Sequence, residues 1–311
     1  MPTPADHAPA PSSAFDARGR DALEPPDVAL FRDNGLLVLR GVLAPAELAA
    51  LRDETGRLVE RAAASRIEDG DHRYQRLAEG ADPVPCRIEY VVDKSTACLA
   101  LLSHPTLLRA VEAIQGTDFI PTWDAMVFKQ RGGGPVVGWH RDIAGYAHVS
   151  GAPQVFNVDI YLDDAGLDTC VWGIPGTNRW SAERARAESD RRNALGFPTE
   201  GAVPLPMRAG DVLIHDVDVL HGSPASRSAL RRVVYYEYRP AWCEREYGPH
   251  RSDYVPLKQR VLLASQRARE RMPYARGERP YRYAAASLIG EEPLLTSYRI
   301  PHDDHWRHAP G

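Results

Sequence analysis

The sequence predicts a mainly β protein with flanking helices, whose strands close into a barrel or sandwich. Three observations carry this. From Phe119 to Tyr238, short runs rich in β-branched and aromatic residues alternate with turn signals such as Asp163-Asp164-Ala165-Gly166 and Pro175-Gly176. Before and after that stretch, apolar residues recur at helical spacing, as in Leu48, Leu51, Leu58 and Val59. The pair His140 and Asp142 lies far along the chain from His221, and both positions sit at or beyond strand-like runs. A barrel brings such distant positions to one mouth.

In chain order, residues 1–25 are rich in Pro, Ala and Ser and are expected to be mobile. Residues 26–311 are expected to form a single domain, with a barrel core over about 119–240 and a helical, then irregular, extension over 241–311. Val28–Phe31 reads as a short helix. Asn34-Gly35 turns the chain into a strand, Leu36–Leu39. Pro45 starts a helix that runs to about Ala64. Residues 65–83 are polar and read as a loop over the site. Arg87–Val92 reads as a strand, and Thr96–Ile114 as helix broken near Pro105. Strands are then expected at Trp123–Phe128, Val136–Asp142, Val155–Leu162, Cys170–Ile174, Val203–Arg208, Val212–His215 and Arg232–Tyr238. A helical insertion covers Trp180–Asn193, and a last helix covers about Pro256–Arg271.

The chemistry centres on Gly138-Trp139-His140-Arg141-Asp142. In an extended strand residues i and i+2 face the same side, so His140 and Asp142 can reach one point. A neutral imidazole and a carboxylate are two of the three ligands of a facial triad that holds Fe(II) and leaves positions open for oxygen and a co-substrate. Alone, His-x-Asp is a common pattern and reads as a strand with two polar residues. The run Leu213–Ser223 adds His221, and Arg231 and Arg232 follow ten and eleven residues later. A guanidinium fork is what the distal carboxylate of a dicarboxylic co-substrate needs. The ordered set of four parts is far more specific than any one. His215 is a rival third ligand. Asp216 and Asp218 read as loop groups or as groups supporting the ligands.

These residues resemble the phytanoyl-CoA dioxygenase-like group of Fe(II)/2-oxoglutarate oxygenases. Phe31–Leu43, His140-Arg141-Asp142, Ile174–Asn178, Ala209-Gly210-Asp211, His221-Gly222-Ser223 and Arg231 carry the resemblance, which spans about residues 28–240. It implies a double-stranded β-helix, the jelly roll of cupins. It also implies Fe(II), 2-oxoglutarate as co-substrate and O2, with His140, Asp142 and His221 as catalytic metal ligands. His221 is preferred over His215 because it carries the Gly-Ser continuation. The resemblance places the co-substrate arginine ten or eleven residues after the histidine. Spacing leaves Arg231 and Arg232 open, and the strand that follows favours Arg231. Ser223 is expected on the same carboxylate, with Arg87 and Asn157 as further co-substrate contacts; a turn, surface or core role is the plain alternative for these three. Trp123, Lys129, Trp139, Tyr161, Trp172 and Trp180 are candidates for a substrate pocket or for ordinary packing. Related halogenases replace the carboxylate with a small residue, and Asp142 is retained, so halogenation is not expected.

Composition bounds the rest. With 311 residues and a 43% hydrophobic fraction, the chain can bury a substantial core. A net charge of −4 gives no nucleic-acid footprint. No apolar run approaches the ~18 residues that span a bilayer, and the first residues lack the basic and apolar regions of a secretion signal. A cytoplasmic protein is expected, with Cys86, Cys98, Cys170 and Cys243 as reduced thiols. His302, His305 and His308 in the tail read as an exposed segment rather than a metal site. The reading is therefore an Fe(II)/2-oxoglutarate-dependent dioxygenase acting on a small-molecule substrate by hydroxylation, desaturation or oxidative cyclisation. A natural-product intermediate from antibiotic biosynthesis is favoured, with a sugar or aminoglycoside type preferred. The alternative is a non-catalytic, cupin-like binding or sensor module.

Overall fold

The computed structural model describes residues 12–19, 22–66, 69–77, 80–130, 133–142, 154–226, 230–283 and 295–300. Helix α1 (Pro25–Asn34) begins with two prolines, suited to a helix start, and stops at Gly35, whose φ of 74° is left-handed. Strand β1 (Leu36–Leu39) and the long helix α2 (Pro45–Ser65) follow. Next come strands β2 (His72–Arg76) and β3 (Pro83–Glu89), then three helices, α3 (Val91–Lys94), α4 (Thr96–Leu101) and α5 (Pro105–Gln115). The barrel strands are β4 (Phe119–Lys129), β5 (Val137–His140), β6 (Phe156–Tyr161) and β7 (Val171–Ile174). Helix α6 (Ala182–Ala194) interrupts them before β8 (Val203–Leu205), β9 (Val212–Asp216), β10 (Leu220–Ser223) and β11 (Arg231–Pro240). Helices α7 (Ala241–Tyr247) and α8 (Tyr254–Glu270) follow the barrel.

Seven strands form one sheet in the order β1-β9-β6-β11-β4-β3-β2, and four form the other in the order β5-β10-β7-β8. All the pairings between these strands are antiparallel. The result is the expected jelly roll with flanking helices. Alternation along each strand divides the larger sheet into two faces. Leu37, Leu39, Val158, Ile160, Val212, Ile214, Val234 and Tyr236 turn to one core, with residues of α2, α4, α5 and α8. Leu36, Val38, Tyr161, Leu213 and Val233 turn the other way, onto Val171, Val203 and Leu205 of the smaller sheet. The polar residues of this second face, among them Arg231, Glu237 and Asn157, line a cavity at one end.

Several expected boundaries shift for physical reasons. The polar segment 65–83, read as a loop, contains β2, which pairs with β3 at the sheet edge. None of its residues is buried, so it shows no apolar alternation to read. Strand β3 stops at Glu89, because Tyr90 takes a left-handed φ of 56° and Val92 N–H donates to Asp124 Oδ1 at 3.0 Å, starting a helical turn. The run Leu213–Ser223 is two strands in two different sheets, joined by a corner at residues 217–219. Within the segment expected to be mobile, Phe15 is buried and Ala17 N–H donates to Val38 O at 2.8 Å. The tail histidines His302, His305 and His308 lie outside the described residues. None of the four cysteines forms a disulfide. Among the described residues, no helix is long and apolar enough to cross a membrane.

The motifs outside the site hold the chain at corners. Gly210 (φ 92°) turns the chain so that Asp211 accepts from Gly41 N–H at 2.8 Å and pairs with Arg40 at 2.9 Å. Thr177 Oγ1 accepts from Leu220 N–H at 2.8 Å, fixing the start of β10, while Asn178 Nδ2 donates to Asp216 Oδ2 at 3.3 Å. Gly222 of β10 faces the backbone of β5 and the Phe197 ring. A Cβ there would sit 2.9 Å from Val137 O and 3.2 Å from Gly138 O. Backbone cannot give way as a side-chain tip can, so Gly222→Ala should push the two strands apart. We expect a loss of about 1–3 kcal/mol in denaturant unfolding, with weakened metal retention because His221 is displaced from His140. Unchanged stability and metal content would show that the strands tolerate the separation.

Candidate metal centre

His140 ends β5 and His221 stands second in β10, and the two are antiparallel partners. Their ring centroids are 4.3 Å apart. His140 Nδ1 lies 2.8 Å from Gly138 O, and His221 Nδ1 lies 3.0 Å from Val219 O. A carbonyl only accepts, so each Nδ1 carries a proton and each Nε2 is turned to the site. Burial works against a charge on His140, but Asp142 outweighs it and holds that imidazole above its usual range. Both Nε2 atoms point towards Asp142, at 3.5 Å from Oδ1 for His140 and 3.9 Å from Oδ2 for His221. One donor atom from each of the three residues lies within 4.8 Å of the others.

Asp142 comes after the end of β5, so the i, i+2 argument from a continuous strand is not what places it. Its N–H donates to Val217 O at 2.9 Å, in the corner between β9 and β10. Its Oδ2 accepts from Asn157 Nδ2 at 2.7 Å and from His215 Nε2 at 2.9 Å. Burial works against its charge, yet His221, His140 and His215 hold the carboxyl well below the usual range. Burial, with His140 nearby, drives His221 down to about 3, so its imidazole is neutral. An ionised carboxylate and a neutral imidazole are the forms that bind a metal.

His215, the rival ligand, is clamped between two carboxylates. Its Nδ1 donates to Asp159 Oδ2 at 2.8 Å and its Nε2 to Asp142. Burial opposes its charge, but Asp159 and Asp142 outweigh that and hold it up at about 10. An imidazolium has no lone pair to offer, so His215 orients Asp142 instead.

The cavity in front of these residues measures about 520 Å³, within the ordinary size of ligand sites. Arg231, Ser223, Arg87 and Asn157 all line it. Arg231 is 2% exposed. Its Nε and Nη2 donate to Thr169 O at 3.2 and 2.9 Å, and Nη2 also reaches Ser223 Oγ at 3.3 Å. Its Nη1 is buried without a hydrogen-bond partner. Lys129 faces the same cavity as the cross-strand partner of Arg231. Burial, and then the Arg231 charge, push its ammonium down to about 7. Its Nζ donates to Pro224 O. Arg87 is tied to Glu89 at 2.6 Å, and the Asn157 amide goes to Asp142.

Arg232 points the other way. Its Nε and Nη2 clamp Asp163 at 2.8 and 2.9 Å, and Nη1 donates to Arg52 O of α2 at 2.8 Å. Of the candidate pocket aromatics, Trp123 lines the cavity. Trp139 instead stacks behind it on Phe197, with centroids 4.9 Å apart. Tyr161 and Trp172 belong to the core between the sheets, and Trp180 lies under Arg184. Glu237, Arg73 and Gln75 also line the cavity and were not singled out from the sequence. The signal for Glu237 was present: it stands six residues after Arg231 on one alternating strand.

A model of the phytanoyl-CoA dioxygenase (PhyH) family matches residues 31–234, from α1 into β11. The chain belongs to the phytanoyl-CoA dioxygenase family. Phytanoyl-CoA dioxygenase domain-containing protein 1 of Danio rerio is 25% identical over 260 residues, covering 69% of this chain and 89% of that protein. The solved structure of AviO1 from Streptomyces viridochromogenes is 29% identical with a TM-score of 0.55, covering 68% of this chain and 92% of that one. SnoK, a non-heme alpha ketoglutarate dependent carbocyclase from nogalamycin biosynthesis, shares the fold at 19% identity, with a TM-score of 0.57 over 76% of this chain and 88% of that one. Membership of the PhyH family makes the chain a dioxygenase-type enzyme of the non-haem iron, 2-oxoglutarate-dependent class.

The two arginines of the PhyH chain's strand β11 differ in what they support. Arg232 and Asp163 form a largely buried pair, with side chains 8% and 15% exposed. Arg232→Ala removes one partner and strands the other, which typically costs about 3–5 kcal/mol. Chemical unfolding should show a loss of that order. A loss below about 1 kcal/mol would mean that Asp163 finds water instead.

Proposed function

We propose that the chain is an Fe(II)/2-oxoglutarate-dependent oxygenase that oxidises an unactivated C–H bond of a small natural-product intermediate. His140, Asp142 and His221 are its metal ligands, and Arg231 holds the distal carboxylate of the co-substrate. One observation carries the proposal: two imidazole Nε2 atoms and a carboxylate converge at one end of a cavity that also contains a buried guanidinium nitrogen with no partner. Such a donor is costly to leave unpaired and fits an anionic ligand. Bound iron with 2-oxoglutarate and O2 would supply the oxidising power for C–H cleavage, with succinate and carbon dioxide as co-products.

The chain's own residues do the positioning. Backbone carbonyls fix the tautomer and orientation of His140 and His221, as supporting groups do around metal ligands generally. Asn157 and His215 fix the Asp142 carboxylate from the larger sheet. Ser223 stands beside Arg231 and can share its carboxylate, and Lys129 adds positive charge on the same side. Arg87 belongs to the cavity wall near Asp142. A sugar or aminoglycoside-type substrate suits a wall that mixes Trp123 with Gln75, Arg73 and Glu237. Asp142 fills the coordination position that halide binding would need, which favours hydroxylation, desaturation or cyclisation. A cupin-like binding module is the second reading; nothing in binding alone calls for a complete donor set beside an unpaired guanidinium.

Two outcomes follow. Iron bound per chain should collapse in His140→Ala and in His221→Ala, and full occupancy in both variants would refute the ligand assignment. Losing a buried charge-assisted pair costs about 2–5 kcal/mol, or roughly 30-fold or more in affinity. Arg231→Ala should therefore raise the 2-oxoglutarate requirement for succinate release at least about 30-fold while iron binding survives, and Arg232→Ala should change that requirement little. The reverse pattern would move the co-substrate to Arg232.

A further inference from the structure

The oxygenase reading assigns the metal and co-substrate ends of the cavity and gives Glu237 only a place in its wall. Glu237 is 7% exposed and lines the cavity. Its Oε1 accepts from Thr122 Oγ1 at 2.6 Å and from Arg239 Nε at 2.7 Å. Its Oε2 has no hydrogen-bond partner among the described residues. This carboxylate is held from behind by a closed polar ring. Arg239 Nη1 donates to Glu244 Oε2 at 3.1 Å, and His250 Nδ1 lies 2.6 Å from Glu244 Oε1. His250 stacks on Tyr254 with centroids 3.9 Å apart, and Tyr254 Oη donates to Thr122 O at 2.8 Å, back beside Glu237.

So much buried polar structure around one side chain costs desolvation and ordering. A carboxylate oxygen left without a protein donor beside a cavity is available to a ligand. Here one oxygen is fixed and the other is left to the cavity. Its position relative to the metal site is also defined. Glu237 is the cross-strand partner of Asn157 on one side and of Trp123 on the other. Asn157 is the residue that donates to Asp142. A group bound at Glu237 is therefore one strand spacing from the residue that orients the metal-site carboxylate, with an indole on its far side.

We propose that Glu237 is the substrate-orienting residue, and that its free oxygen accepts a hydrogen bond from a substrate hydroxyl or ammonium group. The proposal rests on the oxygenase reading and names the residue that would select the substrate's polar group. An acceptor-only oxygen selects donors. A site built to hydrogen-bond a substrate donor rejects analogues without one far more strongly than an apolar wall does. Arg87, another cation on the wall, is already paired with Glu89.

The test uses the full chain loaded anaerobically with Fe(II) and 2-oxoglutarate, with the visible charge-transfer band of that complex as the control. Two probes are titrated: methyl α-D-glucopyranoside, which offers hydroxyls alone, and D-glucosamine, which adds an ammonium. Both should bind, glucosamine more tightly. Glu237→Gln should weaken glucosamine at least ~10-fold and erase its advantage, since a charge-assisted hydrogen bond becomes a neutral one. Glu237→Asp, which keeps a carboxylate for Arg239 and Thr122 but withdraws it from the cavity, should weaken both probes while the band persists, and covers the case in which Glu237→Gln fails to fold. If the wild type shows the band yet binds neither probe, or if both variants bind the probes as the wild type does, the assignment to Glu237 is wrong. If the band never forms, the oxygenase reading falls and this inference falls with it.

Discussion

The Asp142 carboxylate joins the two sheets at the site. Its backbone is held by Val217, where the chain crosses from the larger sheet to the smaller one, and its side chain is gripped by Asn157 and His215 of the larger sheet. His140 and His221 belong to the smaller sheet. The three donor atoms can meet only if the two sheets keep their spacing at this corner. Much of the local structure serves that spacing. Asp216 is braced by Gln154 at 2.6 Å, Thr177 fixes the start of β10, and Asn193 of α6 accepts from Trp139 N–H at 2.8 Å beside His140. A half-buried carboxylate among three imidazoles is expensive to assemble. Its cost is offset by the hydrogen bonds it accepts from Asn157 and His215.

Strand β11 acts as the ruler of the cavity. Its alternation sends Arg231, Val233, Tyr235 and Glu237 to the inner face, and Arg232, Val234 and Tyr236 to the helices. One strand thus carries the group proposed for the co-substrate at one end and the group proposed for the substrate near the other. Arg232 and Tyr236 anchor its back, on Asp163 and on Cys98 O at 2.6 Å. A slip of one residue would exchange the two faces, which explains why both arginines, adjacent in sequence, have unrelated partners.

The segment after the barrel is part of the same construction. Helix α8 places Tyr254 against Thr122, and Arg269 pairs with Glu47 of α2 at 2.7 Å. Glu47, His104 and Glu278 also bring potential metal donors together, but the Arg269 guanidinium already sits between the two carboxylates and supplies the positive charge. That cluster reads as an ion pair closing the helical layer over the sheet. The helices therefore stiffen the outer face of β4 and β11, whose inner face lines the cavity.

Local patterns in the chain were enough to indicate the strand-rich centre and the helices at either end, which depend on side-chain period. The choice of His221 and of Arg231 as site residues came with the family resemblance, since spacing left His215 and Arg232 open. Tertiary structure alone decided the rest. The edge strand β2 has no buried residue and leaves no apolar signal. The run from Leu213 to Ser223 looks continuous because both its strands are buried, yet it divides between two sheets. His215 and His221 are equally plausible ligands by type, and only the carboxylate Asp159, packed against His215 from β6, makes one a donor and leaves the other its lone pair. Glu237 reads as one more polar strand residue until Thr122, Arg239 and the helices behind them fix one of its oxygens and turn the other to the cavity. Partners brought in from residues distant in the chain set protonation and orientation, and no local pattern encodes which partners those will be.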